Sequence, residues 1–278
     1  MKNKILFFLA FTLLIIGSAG IPLALSSNDE DASVLPNKEG VYKVPGKPNL
    51  RLRVFIYHGK DEVRDFAKPS SKPSPVTPAL ICNSISTIDQ DSLSLVKSAG
   101  WIIPSSWTYR VNTTSAPSSV GSSAVGNIVL NSYKVWADAV SNKVSFLRGA
   151  DTSTTVAQMD KQNIVTWGKT SPTALAVSYI WYDSISGIAL EIDTIFNKSF
   201  TWYWSNPTTW PVGQACAYKG VYDAQNILTH EFGHTLGLSD EYTSEFINNT
   251  MYGYGSVSEI KKNTLSTGDI FSVSSLYQ

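Results

Sequence analysis

The residues HEFGHTLGLSD, at positions 230 to 240, combine side chains that are suited to metal chemistry, and they contain two of the chain's three histidines. His230 and His234 are four residues apart, which on a helix places both imidazoles on one face, about one turn from each other. Both imidazoles can therefore bind the same metal ion. Gly237 can adopt the positive φ that ends a helix, and the chain beyond it can return Asp240 to the same ion as an oxygen ligand.

Three protein ligands leave a fourth position on zinc for water, which distinguishes a catalytic zinc site from a structural one. Zinc lowers the pKa of bound water to about 7 and polarises a carbonyl, and Glu231 can take the proton of that water and pass it to a leaving amine. The motif therefore predicts peptide hydrolysis, with His230, His234 and Asp240 as zinc ligands and Glu231 as general base. If Asp240 is not the third ligand, Glu241 is the next candidate.

A helix must carry this motif, and the preceding chain must provide a sheet to support it. Asp223 is a good N-cap, so the helix is expected to begin there and to end at Gly237. Residues 124–140 have helix-like apolar spacing. Two runs flank DSIS as the strands of a hairpin would. The runs with strand patterning are 107–112, 144–147, 163–167, 174–182 and 187–196.

The first 26 residues have the pattern of an export signal. Lys2 and Lys4 precede an uncharged run, and small residues with a cleavage-like Ala-Leu-Ser triplet follow it. The alternative is an uncleaved anchor, because residues 5–25 carry no charge and are long enough to span a bilayer. We therefore expect a secreted, extracellular protein, or a membrane-anchored one with its catalytic domain outside.

Residues 27–95 are predicted to be a propeptide-like segment or N-terminal extension. LRLRVFIY at 50–57 could form one strand, whereas KPSSKPSPVTP at 68–78 has the composition of an extended linker. We expect this segment to lie outside the compact domain. Residues 96–278 are then the metallopeptidase catalytic domain.

Charge composition bears on the partners of the protein. The 22 basic and 22 acidic residues cancel, and no dense block of Lys and Arg is present. Nucleic acid is therefore excluded as an expected partner. We expect protein or peptide substrates, and contact with a membrane only if the N-terminal segment is an uncleaved anchor.

These residues resemble the matrixin-type metzincins, a group of zinc metallopeptidases. HEFGHTLGLSD matches their long zinc motif, with Asp240 where many members have a third histidine, an exchange also seen in the snapalysins. Met251, in TMYGY, follows Asp240 by eleven residues and resembles the family's Met-turn. The resemblance covers about residues 99–278 and extends to EIDTIFN at 191–197 and LSTGDIFSVSSLY at 265–277. It implies an α+β fold of the metzincin or zincin-like class, with a twisted mixed β-sheet, an active-site helix and a C-terminal helix.

Departures from the family pattern set further expectations. Animal members bind a second, structural zinc through histidines, and no histidine lies between positions 83 and 229, so we expect a single catalytic Zn²⁺. YDSISG at 182–187 is a short turn, so a Ca²⁺ site is compatible with the sequence but has no positive support. Matrixins often stay latent through a propeptide cysteine on the zinc, and Cys82 could serve, although ICNSIS lacks the Pro-Arg-Cys-Gly pattern. A Cys82–Cys216 disulfide is the competing and favoured assignment in an exported chain.

The resemblance also indicates how substrate would bind. In that family an exposed strand beside the active helix pairs with extended substrate, and the hairpin of residues 174–196 is expected to provide it. Tyr252 and Tyr254 are expected to line an apolar pocket beside the metal, so that cleavage precedes hydrophobic residues. The alternative function is a non-catalytic cell-surface binding protein on the same frame. The presence of Glu231, which does not hold the metal, favours the enzyme.

Overall fold

The computed structural model describes residues 35–60 and 77–278. The predicted signal or anchor, and most of the proline-rich linker, lie outside the described residues. No helix in the described ranges is long and apolar enough to cross a bilayer. The strands are β1 (Gly40–Val44), β2 (Lys47–Gly59), β3 (Leu80–Ser84), β4 (Ser106–Val111), β5 (Ser145–Arg148), β6 (Asn163–Gly168), β7 (Ala174–Asp183), β8 (Ile188–Asn197), β9 (Trp202–Tyr203), β10 (Gln214–Tyr218), β11 (Tyr222–Asp223) and β12 (Tyr254–Gly255). The helices are α1 (Ile85–Ile88), α2 (Ser122–Ala139), α3 (Ala224–Thr235) and α4 (Thr267–Leu276), with short 3-10 turns at Thr113–Ser115, Pro207–Thr209, Ser244–Phe246 and Lys261–Asn263.

One mixed sheet organises the fold, in the order β1-β2-β7-β8-β6-β4-β5, with β12 paired to β2. β5, β4, β6 and β8 are parallel neighbours, and β7 runs antiparallel to β8 as the predicted hairpin. The turn of that hairpin is closed by Asp183, whose carboxylate accepts hydrogen bonds from the amides of Ile185 and Ser186. The predicted α+β fold with a mixed sheet is confirmed.

α2 and α3 pack together over one face of this sheet. The ring of Tyr133 stacks on that of Phe232 with centroids 3.5 Å apart, and Trp136 Nε1 donates to the carbonyl of Thr229 at 2.7 Å. Every residue of α3 is buried. The helix that carries the metal motif is therefore an interior element, held by α2 on one side and by the sheet on the other.

The N-terminal segment differs from expectation, because residues 35–60 are not outside the compact unit, which runs from Leu35 to Gln278. β2 is antiparallel to β7 along most of its length, and β1 continues the sheet beyond it. The reason is that both faces of β2 are apolar from Val54 to Tyr57. Leu52, Val54 and Ile56 pack with Val177 and Trp181 in one cluster, whereas Phe55 and Tyr57 join the main core on the other face. A strand buried on both faces belongs inside a sheet rather than at a solvated edge.

α4 closes the domain and begins with a capping box. Ser266 Oγ accepts from the amide of Asp269, and the Asp269 carboxylate accepts in return from the amide of Ser266. Tyr277, just beyond the helix, donates from its hydroxyl to the carbonyl of Leu236 at 3.2 Å. α4 is thereby tied to the end of the metal-binding helix, and the predicted C-terminal helix is confirmed.

Candidate metal centre

The motif helix begins and ends as its sequence predicts. Asp223 is the N-cap, and its carboxylate accepts from the amide of Asn226 at 2.9 Å. Gly237 has φ of +91°, and a Cβ at that position would lie 2.0 Å from the carbonyl oxygen of Trp101. Only glycine fits there, for reasons of both conformation and space. The chain therefore leaves α3 in a sharp turn that returns Asp240 to the helix.

This turn brings the three predicted ligands together. Asp240 Oδ1 lies 3.0 Å from His230 Nε2 and 3.5 Å from His234 Nε2, and all three side chains are at most 3% exposed. Within residues 35–60 and 77–278, these three residues are the one group of three or more His, Cys, Asp or Glu side chains that lie close enough together to share a metal ion.

Hydrogen bonds orient both imidazoles for metal binding. Nδ1 of His230 contacts the carbonyl of Thr250 at 2.7 Å, and Nδ1 of His234 contacts that of Leu238 at 2.8 Å. A carbonyl can only accept, so each Nδ1 carries the proton and each Nε2 presents a lone pair. His230 Nε2 and Asp240 Oδ1 are buried without any hydrogen-bond partner. Two imidazole nitrogens and a carboxylate oxygen converge here, and together they form a donor set that suits zinc.

The electrostatics of the cluster favour these states for His230 and Asp240; burial would also lower the pKa of His234, but the Asp240 carboxylate beside it raises that pKa. Burial lowers the pKa of His230 to about 4, so this imidazole is neutral at pH 7. Burial alone would raise the pKa of Asp240, but the two imidazoles beside it hold that pKa well below its ordinary value. A neutral imidazole and an ionised carboxylate are the forms in which these groups bind a metal.

Glu231 lies beside the ligands and is completely buried. Its Oε2 accepts a 2.6 Å hydrogen bond from Ser178 Oγ, which also contacts Thr194 Oγ1 at 2.9 Å. Its Oε1 has no hydrogen-bond partner. Burial raises the pKa of Glu231 to about 7. One carboxylate oxygen is thus anchored to β7, and the other is available to accept a proton.

Met251 is fully buried beneath α3, as a Met-turn residue would be. A Cβ at Gly233, between the two histidines, would lie 2.1 Å from the Met251 sulfur, so helix and turn are in direct contact. Asp269 holds this turn from the other side by accepting from the amide of Thr250 at 2.7 Å. The Thr250 carbonyl in turn accepts a hydrogen bond from His230. Asp269 of α4 therefore helps to position the metal ligand His230 through the Met251 turn.

The segment after Met251 lies beside His230, and it is less apolar than expected. Tyr252 is buried and Tyr254 partly so, with their rings 5.6 Å apart. Lys262, which is only 1% exposed, places its ammonium 3.1 Å from the carbonyl of Tyr254 and also donates to that of Tyr252. The expected pocket wall therefore ends in a buried amine, which the sequence did not indicate.

The edge of β7 is not exposed, contrary to expectation, because β2 covers it. The same strand lies over the metal residues. The ring of Phe55 stacks on that of His234 with centroids 3.8 Å apart and planes within 3°, and the ring of Tyr57 lies 4.2 Å from that of His230. The metal residues are therefore buried under the N-terminal segment.

Cys82 and Cys216 form the favoured disulfide, joining β3 to β10 at a directly opposed pair of residues. The alternative role of Cys82 as a thiolate on the zinc is wrong for this structure, because its sulfur is engaged in the bridge.

In EIDTIFN, Glu191 and Asp193 hold the loop that precedes β6. Glu191 accepts from the amide of Asp160, and Asp193 accepts from the amides of Gln158 and Ile164. Burial, followed by the nearby Glu191 and Asp160 carboxylates, raises the pKa of Asp193 to about 8. These carboxylates are therefore occupied in organising the loop through its backbone amides. A single catalytic Zn²⁺ remains the prediction. A Ca²⁺ site remains without positive support.

Three side chains at the centre were not identified from sequence: Ser178, Tyr57 and Lys262. Ser178 is the polar residue at the middle of the run ALAVSYIWY, and a buried hydroxyl in such a run was a usable signal. Tyr57 and Lys262 reach the site only through pairing between distant segments, so no local pattern marked them.

Comparison with known proteins gives one family. A family described as Matrixin matches residues 100–278, which is more than half of the chain. No curated protein matches the chain at a significant level. The matched range includes the sheet from β4 to β8, the α3 helix with its ligands and the closing helix α4, but not β1 and β2.

Proposed function

The chain belongs to the matrixin family of zinc-dependent peptidases, and from that premise we propose that it is a secreted zinc endopeptidase. His230, His234 and Asp240 hold the ion, and Glu231 is the general base. The observation that carries this proposal is the convergence of two Nε2 atoms and one carboxylate oxygen on a buried point beside Glu231, where His230 Nε2 and Asp240 Oδ1 have no hydrogen-bond partner.

The residues of the centre divide the chemistry between them. Zinc, when bound, supplies a Lewis acid that activates water and polarises the scissile carbonyl. Glu231 Oε1 accepts the proton of the attacking water and delivers it to the leaving amine. Ser178 keeps Oε2 anchored, so that the partnerless Oε1 is the oxygen presented to the reaction. The bonds from Nδ1 hold the imidazoles at one orientation throughout.

Protein and peptide chains are the proposed substrates. Nucleic acid has no place in the proposal, given the balanced charge of the chain. Export through residues 1–26, as signal or anchor, places the enzyme outside the cell.

Single substitutions separate metal binding from turnover. His230→Ala, His234→Ala and Asp240→Ala should lose stoichiometric zinc, because each leaves two protein ligands. Glu231→Ala should keep zinc and lose caseinolysis by several orders of magnitude, roughly 10³-fold or more. Both are measured on the full chain before and after limited trypsin digestion.

The matched control is Glu241→Ala. Glu241 accepts from the amide and the ammonium of Lys97, at 3.0 and 3.3 Å, so its loss should leave zinc content unchanged. Full zinc occupancy in Asp240→Ala together with loss in Glu241→Ala would reverse the third-ligand assignment. Zinc in the wild-type chain without turnover of any unfolded protein would instead support the non-catalytic binding protein.

A further inference from the structure

Tyr242 lies two residues after Asp240 and directs its hydroxyl at that carboxylate, 3.2 Å from Oδ2. We propose that Tyr242 is a positioning residue of the metal centre: its hydroxyl holds Oδ2, so that Asp240 binds the ion through Oδ1 alone. This inference rests on the proposed function only as far as metal binding, since it concerns a ligand of the same centre.

The two oxygens of the Asp240 carboxylate have different surroundings. Oδ1 lies 3.0 Å from His230 Nε2 and 3.5 Å from His234 Nε2, and it has no hydrogen-bond partner. Oδ2 accepts the hydrogen bond from Tyr242. A carboxylate can bind a metal through one oxygen or through both, and the second oxygen raises the coordination number of the ion. With Oδ2 engaged, the centre keeps three ligand atoms and an open fourth position, as a catalytic zinc requires.

The ring of Tyr242 is held by the turn that carries Met251. The amide of Glu241 donates to the carbonyl of Met251 at 3.0 Å, and the amide of Gly253 donates to the carbonyl of Glu241 at 2.9 Å. A Cβ at Gly253 would lie 2.3 Å from Tyr242 Cε1, so the ring rests directly on the backbone of that glycine. The ring of Tyr254 packs beside it, with centroids 5.2 Å apart. Although Tyr242 is 42% exposed, these contacts fix its hydroxyl beside the ligand.

Glu39 offers the same hydroxyl a second acceptor. Its Oε2 lies 3.4 Å from the Tyr242 hydroxyl, and its Oε1 accepts from Arg53 at 2.7 Å. A phenol has a single proton, which it donates to one acceptor at a time. The Asp240 side chain is 3% exposed, whereas that of Glu39 is 35% exposed and already ion-paired. A hydrogen bond to a buried carboxylate is the stronger one, so the proton goes to Asp240.

Tyr242→Phe tests the hydroxyl, because it keeps the ring that rests on Gly253. In the full chain, the Kd for zinc, measured by competition with a chelator, should rise roughly 10–100-fold, as for the loss of other groups that orient a ligand. Tyr42→Phe is the matched control and should leave the Kd unchanged, because the hydrogen bond that it removes goes to the exposed carbonyl of Lys38. Glu39→Gln should also leave the Kd unchanged. A rise equal to that of Tyr242→Phe would show that the hydroxyl acts on Glu39 instead, which would overturn the inference.

A spectroscopic measurement separates positioning of the ligand from general packing. Co²⁺ in place of zinc absorbs visible light strongly when it is four-coordinate and weakly when it gains a ligand, so its spectrum reports the geometry of the site. Tyr242→Phe should lose part of this absorption, because Oδ2 is then free to join Oδ1, while the Tm of the metal-free chain stays that of wild type. An equal Kd for zinc, or an unchanged Co²⁺ spectrum, would overturn the inference and leave the proposed function intact. If the metal-loaded wild type hydrolyses no protein, the proposed function fails, and the two metal measurements still decide the role of Tyr242.

Discussion

Replacing Gly233 with alanine tests the contact between the metal-binding helix and the Met251 turn. The added Cβ would lie 2.1 Å from the Met251 sulfur and 2.9 Å from Trp136 Cζ2. Met251 and Trp136 are both fully buried. Neither has free space to move into, so the methyl group must displace the helix or the turn.

The expected loss follows from two opposing terms. Alanine favours the helical state over glycine by about 1 kcal/mol. Overpacking a rigid interior costs about 1–3 kcal/mol, and two close contacts with buried side chains place this site at the upper end. The net destabilisation is then about 2 kcal/mol, or a fall in Tm of about 4–8 °C for a domain of this size. Zinc affinity should fall with it, because the same turn orients His230 through Thr250.

Gly126, in the second turn of α2, is the matched control. A Cβ there would lie 2.6 Å from Arg148 Nη1, which is the end of a flexible side chain that is 41% exposed. Gly126→Ala should therefore retain most of the helical gain, with a rise in Tm of up to about 4 °C. Thermal unfolding followed by circular dichroism compares the two. A rise in Tm of similar size in both variants would refute the packing of Met251 against α3.

Three further predictions concern the supports of the centre. Asp269→Ala should weaken zinc binding by about 10–100-fold, because the Met251 turn loses its carboxylate anchor; unchanged affinity, as expected for the exposed Asp138→Ala, would show that the anchor is dispensable. Replacing Cys82 and Cys216 with serine opens a loop with a sequence separation of 134 and should cost up to about 5 kcal/mol in urea unfolding; an unchanged midpoint would contradict it. The pKa of Asp193 is raised to about 8, so the folded state binds the proton of this carboxyl more tightly than the unfolded state does. The protonated carboxyl therefore contributes its full stabilisation below pH about 4, and this contribution is lost as the pH rises to about 8. The urea midpoint of wild type should therefore fall relative to Asp193→Asn over that range, and parallel midpoints would rule the shift out.

Much of the centre could be predicted from sequence, because its information is local. The spacing of His230 and His234 fixes their common face on any helix, and the Asp223 cap and Gly237 mark where that helix begins and ends. Asp240 follows within the reach of a single turn. Strands β4 to β8 were likewise predictable, because apolar runs and alternation reflect contacts that each segment makes at a fixed period, whereas β1 and β12 were not predicted.

The position of β2 was decided only by tertiary structure. LRLRVFIY indicates a strand, but its sequence does not indicate that β7 and β12 are the strands it pairs with. The proline-rich composition that follows it predicted a segment outside the compact domain. Strand pairing joins residues more than a hundred positions apart, and its free energy comes from burying both faces of β2 at once. The sequence by itself determined a zinc-binding helix and the chemistry it can perform; the burial of β2 decided that Tyr57 and Lys262 lie at the same centre.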